Sequence, residues 1–312
     1  MTPEAAPYLR HLTEGPDGAA AFWAVTDDGP RIRVGVFPCE GAKGTVLLFP
    51  GRTEYIEKYA RTAADLAARG YAMLVVDWRG QGLADRLIAD KRLGHVDRFP
   101  DYQSDVAAAL KVAQAAGLPR PWHVLGHSLG GAIALRTVLE GLDVKSAVFT
   151  GPMWGIMISP VLRPGAWALY LAGGPLGFDR RLAPTLRPEN YVASSPFEGN
   201  TLTSDRAMWD GMKRQVMAEP GLTIGGPTIR WVGEALRECR WLMRQPARAL
   251  PAICFTGAGE TIVSVPAMRD RMARWPGGRF VSIPGGRHEV LMETPAIRDR
   301  LLDDIVAHMD AA

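Results

Sequence analysis

The sequence predicts an α/β protein in which a mostly parallel sheet carries helices on both faces and a mainly helical cap is inserted. Short apolar runs alternate with helical stripes before residue 152, and the same alternation returns after residue 247. Residues 152–247 lack this alternation and contain five of the nine tryptophans, namely Trp154, Trp167, Trp209, Trp231 and Trp241. We therefore predict a core formed by residues 1–151 and 248–312, interrupted by a cap formed by residues 152–247.

The elements before the cap follow from composition and periodicity. The runs AAFWAV and RIRVGVF flank an Asp-Asp-Gly-Pro turn, which predicts two paired strands. Apolar residues recur at helical spacing after Glu54, and Gly70 ends that helix. The runs TVLLFP and YAMLVVD are typical of strands buried on both faces. The predicted strands are 20–25, 31–37, 45–50, 71–77, 122–127 and 144–150, and the predicted helices are 54–70, 101–116 and 129–140.

The elements after the cap repeat this order. The runs PAICFTG and RFVSIP predict strands at 251–257 and 279–284. A helix follows each of them, the first from about residue 265 and the second over 295–309. Strands that alternate with helices on both sides of the cap belong to one sheet covered on both faces.

Composition excludes several classes of function. The 312 residues include 36 Lys and Arg against 33 Asp and Glu, a net charge of +3 without a basic block, so no nucleic-acid partner is expected. Cys39, Cys239 and Cys254 are far apart and no H-E-x-x-H pattern occurs, so we expect no disulfide framework, metal or cofactor. The charged N-terminus has no apolar signal region, and no apolar run reaches membrane-spanning length. These features predict a cytoplasmic protein with at most transient membrane contact.

The most informative segment is Gly126-His127-Ser128-Leu129-Gly130, which lies between a predicted strand and a predicted helix. A nucleophilic serine has to project from a tight strand-to-helix turn, and the residues two before and two after it must lack bulk. The start of the following helix also favours negative charge that develops nearby. We therefore predict that Ser128 is a catalytic nucleophile.

A nucleophilic serine needs a base, and that base needs an acid to orient it. His288 lies in a Gly-rich loop after strand 279–284, and loops at strand ends are where α/β folds place functional residues. Glu260 is the only carboxylate in the loop after strand 251–257. We predict His288 as the base and Glu260 as the acid. Other candidates are His308 as the base and Asp205 or Glu234 as the acid.

The tetrahedral intermediate of acyl transfer needs backbone N–H donors. One is expected from Leu129, directly after the nucleophile, and the other from Arg52, in the loop after strand 45–50. Pro50 has no N–H to donate. For the side chain of Arg52 two interpretations stay open: it reaches a substrate phosphate, or it pairs with Glu54 or Glu57.

The motifs PGRTEYIEKY, DWRGQG, GHSLGG, GAGETIV and PGGRHEVLME together resemble the α/β-hydrolase superfamily. More narrowly, the chain resembles the bacterial lysophospholipase and monoacylglycerol lipase-like serine hydrolases, from about residue 20 to its end. The resemblance implies an α/β-hydrolase sheet and the roles given above to Ser128, Glu260, His288, Arg52 and Leu129. The chain departs from the usual family pattern in having Glu in place of Asp at position 260 and Ala in place of Ser at position 84.

The cap is expected to cover the site and to determine which substrate binds. Its tryptophans and methionines suit an acyl chain, because Met surfaces adapt and Trp supplies large contact area. The candidate substrate contacts are Met153, Trp154, Trp209 and Trp231. We predict a carboxylic-ester hydrolase that acts on monoacyl lipids such as lysophospholipids or monoacylglycerols.

Three other functions stay open. The same residues cleave amides, as in a proline-iminopeptidase-like enzyme, whose amine substrate would need cap carboxylates such as Glu198 or Glu234. A lactone or another small ester is a second option. The third is a binding protein without catalysis, which the complete set of Ser128, Glu260 and His288 disfavours.

Overall fold

The computed structural model describes residues 3–159 and 161–312, and the strands in that part of the chain form one sheet. The strands are β1 (Glu4–Ala6), β2 (Ala20–Val25), β3 (Arg31–Phe37), β4 (Gly44–Phe49), β5 (Tyr71–Asp77), β6 (Trp122–His127), β7 (Ala147–Thr150), β8 (Ala252–Gly257) and β9 (Arg279–Ile283). The helices are α1 (Ala60–Ala67), α2 (Tyr102–Ala115), α3 (Leu129–Leu139), α4 (Arg163–Gly173), α5 (Tyr191–Ser194), α6 (Arg206–Ala218), α7 (Ile229–Arg244), α8 (Val265–Ala273) and α9 (Pro295–Asp310).

The strand order is β1-β2-β3-β5-β4-β6-β7-β8-β9. The first strands pair antiparallel as far as the contact between β3 and β5, and every later pair is parallel. This confirms the predicted mostly parallel sheet. The functional loops of such a sheet gather at the carboxyl ends of its parallel strands.

Two apolar layers cover the sheet, and β4 shows how the sequence builds both. Its side chains alternate in direction, so that Leu47 and Phe49 join the layer under α2, α3 and α8. Val46 and Leu48 join the opposite layer, which packs against α1 and α9. Each of these four side chains is fully buried, which is why the strand is a continuous apolar run.

The structure shifts several predicted boundaries. The helix predicted over 54–70 begins as a 3₁₀ turn at Ile56–Tyr59 and continues as α1 to Ala67. The strand predicted over 144–150 begins only at Ala147. The sequence analysis missed β1, a short and mostly exposed edge strand without β-branched residues.

The chain between β7 and β8, residues 151–251 and called the insertion below, has helices as the regular elements of its described residues and contains α4 to α7. Asp205 caps α6 by accepting hydrogen bonds from two backbone N–H groups, and Thr228 caps α7 by accepting one from Trp231. The inner face of α7 packs into the core layer above α3. The predicted limits of the cap at 152 and 247 stay a prediction.

Candidate active site

Ser128 lies at the junction of β6 and α3, in a sharp turn. Its φ of +50° lies in a region that side chains other than glycine rarely adopt. A Cβ atom at Gly130 would collide with the backbone of Phe49, and one at Gly126 would lie 2.6 Å from the carbonyl oxygen of Gly130. The glycines of the motif are therefore required by close backbone approach, which presents the Ser128 hydroxyl to the cavity above the sheet.

The structure brings Ser128, His288 and Glu260 together although their loops are far apart in the chain. His288 Nε2 lies 3.0 Å from Ser128 Oγ, and His288 Nδ1 lies 2.5 Å from Glu260 Oε2. With the Nδ1 proton directed at the carboxylate, the Nε2 lone pair faces the hydroxyl. The other candidates are not at this site: His308 lies in α9, Asp205 caps α6, and Glu234 lies in α7.

Glu260 is held as an ionised carboxylate. Its second oxygen accepts hydrogen bonds from the N–H groups of Ile262 at 2.7 Å and Val263 at 3.2 Å. Burial opposes ionisation, but the contact with His288 and these two backbone bonds hold the pKa of Glu260 below its ordinary value. A charged carboxylate here can orient the imidazole and stabilise its protonated form. The side chain of glutamate at position 260 therefore reaches His288 Nδ1.

Two residues that line the cavity with Ser128 have backbone N–H groups available to a ligand. Those of Arg52 and Leu129 have no internal hydrogen-bond acceptor among the described residues. The N–H of Gly51 is instead occupied by the Glu54 carboxylate, which closes the loop, and Thr53 turns the chain with a φ of +69°. The role of these two groups as oxyanion donors stays a prediction.

A buried ionic cluster, formed by Glu54, Lys58 and Glu289, lies beside the site in the wall of the same cavity. Lys58 Nζ is 2.7 Å from Glu54 Oε1 and 2.7 Å from Glu289 Oε2. Burial raises the pKa of Glu54, but the charge of Lys58 and the hydrogen bonds from Lys58 and Tyr59 act together against it, so that the pKa is lowered overall. Glu54 also accepts a hydrogen bond from Tyr59, so the cluster fixes the loop that carries Arg52.

His127 lies between His288 and the ionic cluster. Its ring centroid lies 5.0 Å from that of His288, and its Nε2 lies 3.5 Å from Glu54 Oε1. Burial lowers the pKa of His127 to about 4, so the ring is neutral at pH 7. Glu54, His127 and Glu289 have the donor types of a metal site. The Lys58 ammonium, however, already bonds both carboxylates and takes the place that a cation would occupy.

The sequence analysis missed this cluster. Glu54 and Lys58 are four residues apart in PGRTEYIEKY, a spacing that pairs charges on one helical turn, and this was the available signal. Nothing in the sequence indicated that Glu289 would complete the cluster, because it arrives from a loop more than 200 residues later.

A cavity of about 650 Å³ opens above Ser128 and His288. Its walls come from the loop after β4 and from the insertion, and they are largely apolar. Apolar lining residues include Met153, Ile156, Leu186, Val192, Leu202, Met212, Val216, Ile224 and Trp231. A pocket of this size suits a drug-sized molecule.

Two of the four candidate substrate contacts line this cavity, Met153 and Trp231. The other two are corrected by the structure. Trp154 is 1% exposed, packs edge-on against Phe149, and donates its indole N–H to the carbonyl of Gly131. Trp209 is also 1% exposed and packs beside Tyr191 within the insertion. Both are buried by their aromatic neighbours and line no part of the cavity.

The structure rules out one of the two interpretations of the Arg52 side chain, which is a pairing with Glu54 or Glu57. It contacts neither Glu54 nor Glu57: its Nη1 donates to the carbonyl oxygen of Gly225 at 2.6 Å. Glu57 instead binds Arg33 through both of its oxygens, at 2.8 and 2.7 Å.

Comparison with known proteins places the chain among hydrolases. The Hydrolase_4 family, described as serine aminopeptidase S33, matches residues 40–295. Lysophospholipase L2 of Escherichia coli K12 is 32% identical over 290 residues, which are 90% of this chain and 84% of that protein. Probable lysophospholipase L2 of Haemophilus influenzae is 28% identical over 271 residues, covering 86% of this chain and 84% of that one. The crystal structure of a soluble variant of monoglyceride lipase from Saccharomyces cerevisiae, with a substrate analogue, gives a TM-score of 0.72 at 21% identity, covering 98% of this chain and 99% of that one.

Fold and comparisons together define a serine hydrolase of the α/β-hydrolase superfamily. More particularly, the chain belongs to the Hydrolase_4 family, and its similarity to lysophospholipase L2 extends over nearly its whole length. The resemblance inferred from the motifs is thereby confirmed. No helix in the described part of the chain is long and apolar enough to cross a membrane.

Proposed function

We propose that the protein hydrolyses the carboxylic ester of monoacyl lipids, either lysophospholipids or monoacylglycerols, through an acyl-enzyme. The observation that carries this proposal is the contact of Ser128 with His288 and of His288 with Glu260, at the floor of a largely apolar cavity. The lysophospholipase names of its relatives support the same substrate class.

The proposed reaction has two halves. Ser128 Oγ attacks the ester carbonyl carbon while its proton passes to His288 Nε2, and the N–H groups of Arg52 and Leu129 bind the resulting oxyanion. The intermediate collapses, and the imidazolium returns the proton to the leaving alcohol oxygen. Water then attacks the acyl-enzyme with His288 as base, which releases the fatty acid and restores Ser128.

A substrate series with matched variants tests this proposal. We expect turnover of a lysophospholipid and a monoacylglycerol, and loss of both activities in Ser128→Ala. The control is Ser282→Ala, because Ser282 is an exposed residue of β9 away from the cavity. Fluorophosphonate labelling should disappear in Ser128→Ala and persist in Ser282→Ala. Fast turnover of two-carbon esters alone would refute the lipid substrate, and labelling that survives in Ser128→Ala would refute the nucleophile.

The family description favours aminopeptidase activity as a second candidate. The carboxylates expected to bind an amine are not available for it. Glu198 is exposed and pairs with Arg206, and Glu234 accepts hydrogen bonds from the backbone of Phe99 and from Tyr170. Neither lines the cavity. Turnover of an aminoacyl p-nitroanilide faster than that of a monoacyl ester would reverse this preference.

We also propose that the insertion contacts lipid aggregates transiently through exposed apolar side chains. Leu186 and Tyr191 line the cavity and are 44% and 40% exposed. Val161 and Leu162 are 85% and 62% exposed at the start of α4. Exposed apolar side chains of this kind favour partition into a lipid surface. We expect Leu162→Glu to reduce sedimentation with anionic vesicles, and unchanged sedimentation would refute this contact.

A further inference from the structure

The guanidinium of Arg52 is a cation in the wall of the cavity. It lines this cavity together with Ser128 and His288. Its Nη1 is held by the carbonyl of Gly225, and its Cζ lies 5.7 Å from the ring centroid of Trp231. One hydrogen bond and one aromatic face leave most of the five N–H donors of an arginine without a protein acceptor.

This cation has no carboxylate partner among the described residues. The two acids nearest in sequence are engaged elsewhere, Glu54 with Lys58 and Glu57 with Arg33. The enclosing protein lowers the pKa of Arg52 to about 10, so it is still protonated at pH 7. A charge enclosed without a partner is costly, and an anionic ligand would supply the missing partner.

The position of Arg52 also matches the spacing of one substrate class. Arg52 and Ser128 both line the cavity, and the backbone N–H of Arg52 would bind the ester oxygen in the proposed reaction. An extended arginine side chain carries its guanidinium about 6 Å from its own Cα. In a monoacyl glycerophospholipid the ester carbonyl carbon and the phosphorus are about 7 Å apart in an extended chain. One residue can therefore contact both groups.

We propose that the Arg52 side chain binds the phosphate of a monoacyl glycerophospholipid and so favours lysophospholipids over monoacylglycerols. This rests on the proposed ester hydrolysis. Arg is suited to this role because its planar donors bind two phosphate oxygens at once. The other cation without a carboxylate partner on the cavity wall, Arg187, is exposed at the surface, where water screens its charge. Lys58 is taken by Glu54 and Glu289.

The test compares kcat/KM for three monoacyl esters that carry the same acyl chain, which is short enough to keep them monomeric. Two are lysophospholipids, with a phosphoethanolamine or a phosphoglycerol head group, and the third is the monoacylglycerol, which has no phosphate. In Arg52→Gln the preference for the two phosphate esters over the monoacylglycerol should fall about 10- to 100-fold. Arg52→Lys should keep part of the preference because it keeps the charge. The control is Arg214→Gln, an exposed residue of α6 outside this cavity, which should leave the preference unchanged.

Binding measurements separate this inference from the proposed hydrolysis. Calorimetry with non-hydrolysable ether analogues of the same three lipids measures the phosphate preference without turnover, and wild-type protein should bind the phosphate forms more tightly. An unchanged preference in Arg52→Gln, or equal affinity of wild-type protein for phosphate and glycerol forms, would overturn the inference. A loss confined to the ethanolamine lipid would also overturn it, since that lipid differs in its amine. Phosphate-dependent binding without hydrolysis of any ester would instead overturn the proposed reaction.

Discussion

Replacing Lys58 with methionine tests whether the ionic cluster of Glu54, Lys58 and Glu289 stabilises the fold. Lys58 is 7% exposed and bonds two carboxylates, each at 2.7 Å. Methionine keeps the apolar stem but leaves Glu54 and Glu289 buried without a cation. Removing one partner from a buried ion pair typically costs about 3–5 kcal/mol, which is a large part of the stability of a domain.

The loss should depend on pH in a defined direction. Without Lys58, burial raises the pKa of both carboxyls above their values in the unfolded chain. The protonated, neutral form then stabilises the folded state at low pH, and this contribution is lost as the pH rises. Lys58→Met should therefore be more strongly destabilised at pH 8 than at pH 5.

Urea denaturation at the two pH values measures this effect. Lys111→Met is the matched control, because Lys111 pairs with Asp27 at the surface and its loss should cost less than about 1 kcal/mol. Adding Glu289→Gln to Lys58→Met should recover part of the stability by removing one uncompensated charge. A loss no larger than that of Lys111→Met at pH 8, or one that is equal at both pH values, would refute the reasoning.

Three further predictions follow from the site and the sheet. Glu260→Gln should lower kcat by about 10⁴-fold, because the amide no longer holds the His288 tautomer, and steady-state rates within tenfold of wild type would contradict this. Burial lowers the pKa of His123 from its ordinary 6.5 to about 4, so the free energy of unfolding should fall as the pH drops from 6.5 towards 4. Urea titrations should show a shallower decline in His123→Gln, and an equal slope would argue against it. Gly130→Ala should destabilise by about 1–3 kcal/mol or more, because the added methyl collides with the backbone of Phe49, and an unchanged urea midpoint would count against that contact.

The fold and the convergence of Ser128, Glu260 and His288 could be predicted because each depends on local pattern and chain order. Strands that are buried on both faces have continuous apolar sequences, which are easily recognised. The bounds of β4, β5 and β6 accordingly lie within one residue of the predicted ones. Parallel strands end at the same edge, so loops after successive strands meet. That rule alone is sufficient to bring His288 and Glu260 towards Ser128.

Side-chain neighbours across the molecule could not be predicted in the same way. The aromatic content of the insertion does not indicate which rings face the cavity. Trp154 was predicted to contact substrate, but it packs in the core beside Phe149. The partners of Arg52 and Lys58 depend on how the insertion and the last loop fold back over the sheet. The cytoplasmic location expected from composition stays a prediction.

The packing of α7 has a consequence for exchanging parts between relatives. Arg136 of α3 binds Glu238 of α7 through two hydrogen bonds of 2.7 Å, and Cys239 bonds the backbone of Met153. The helix that begins at the nucleophile is thereby fastened to the last helix of the insertion. A chimaera designed to transfer substrate preference should leave α7 with the recipient sheet and exchange only the segment before Thr228, because a graft that includes α7 also replaces the support of the nucleophile.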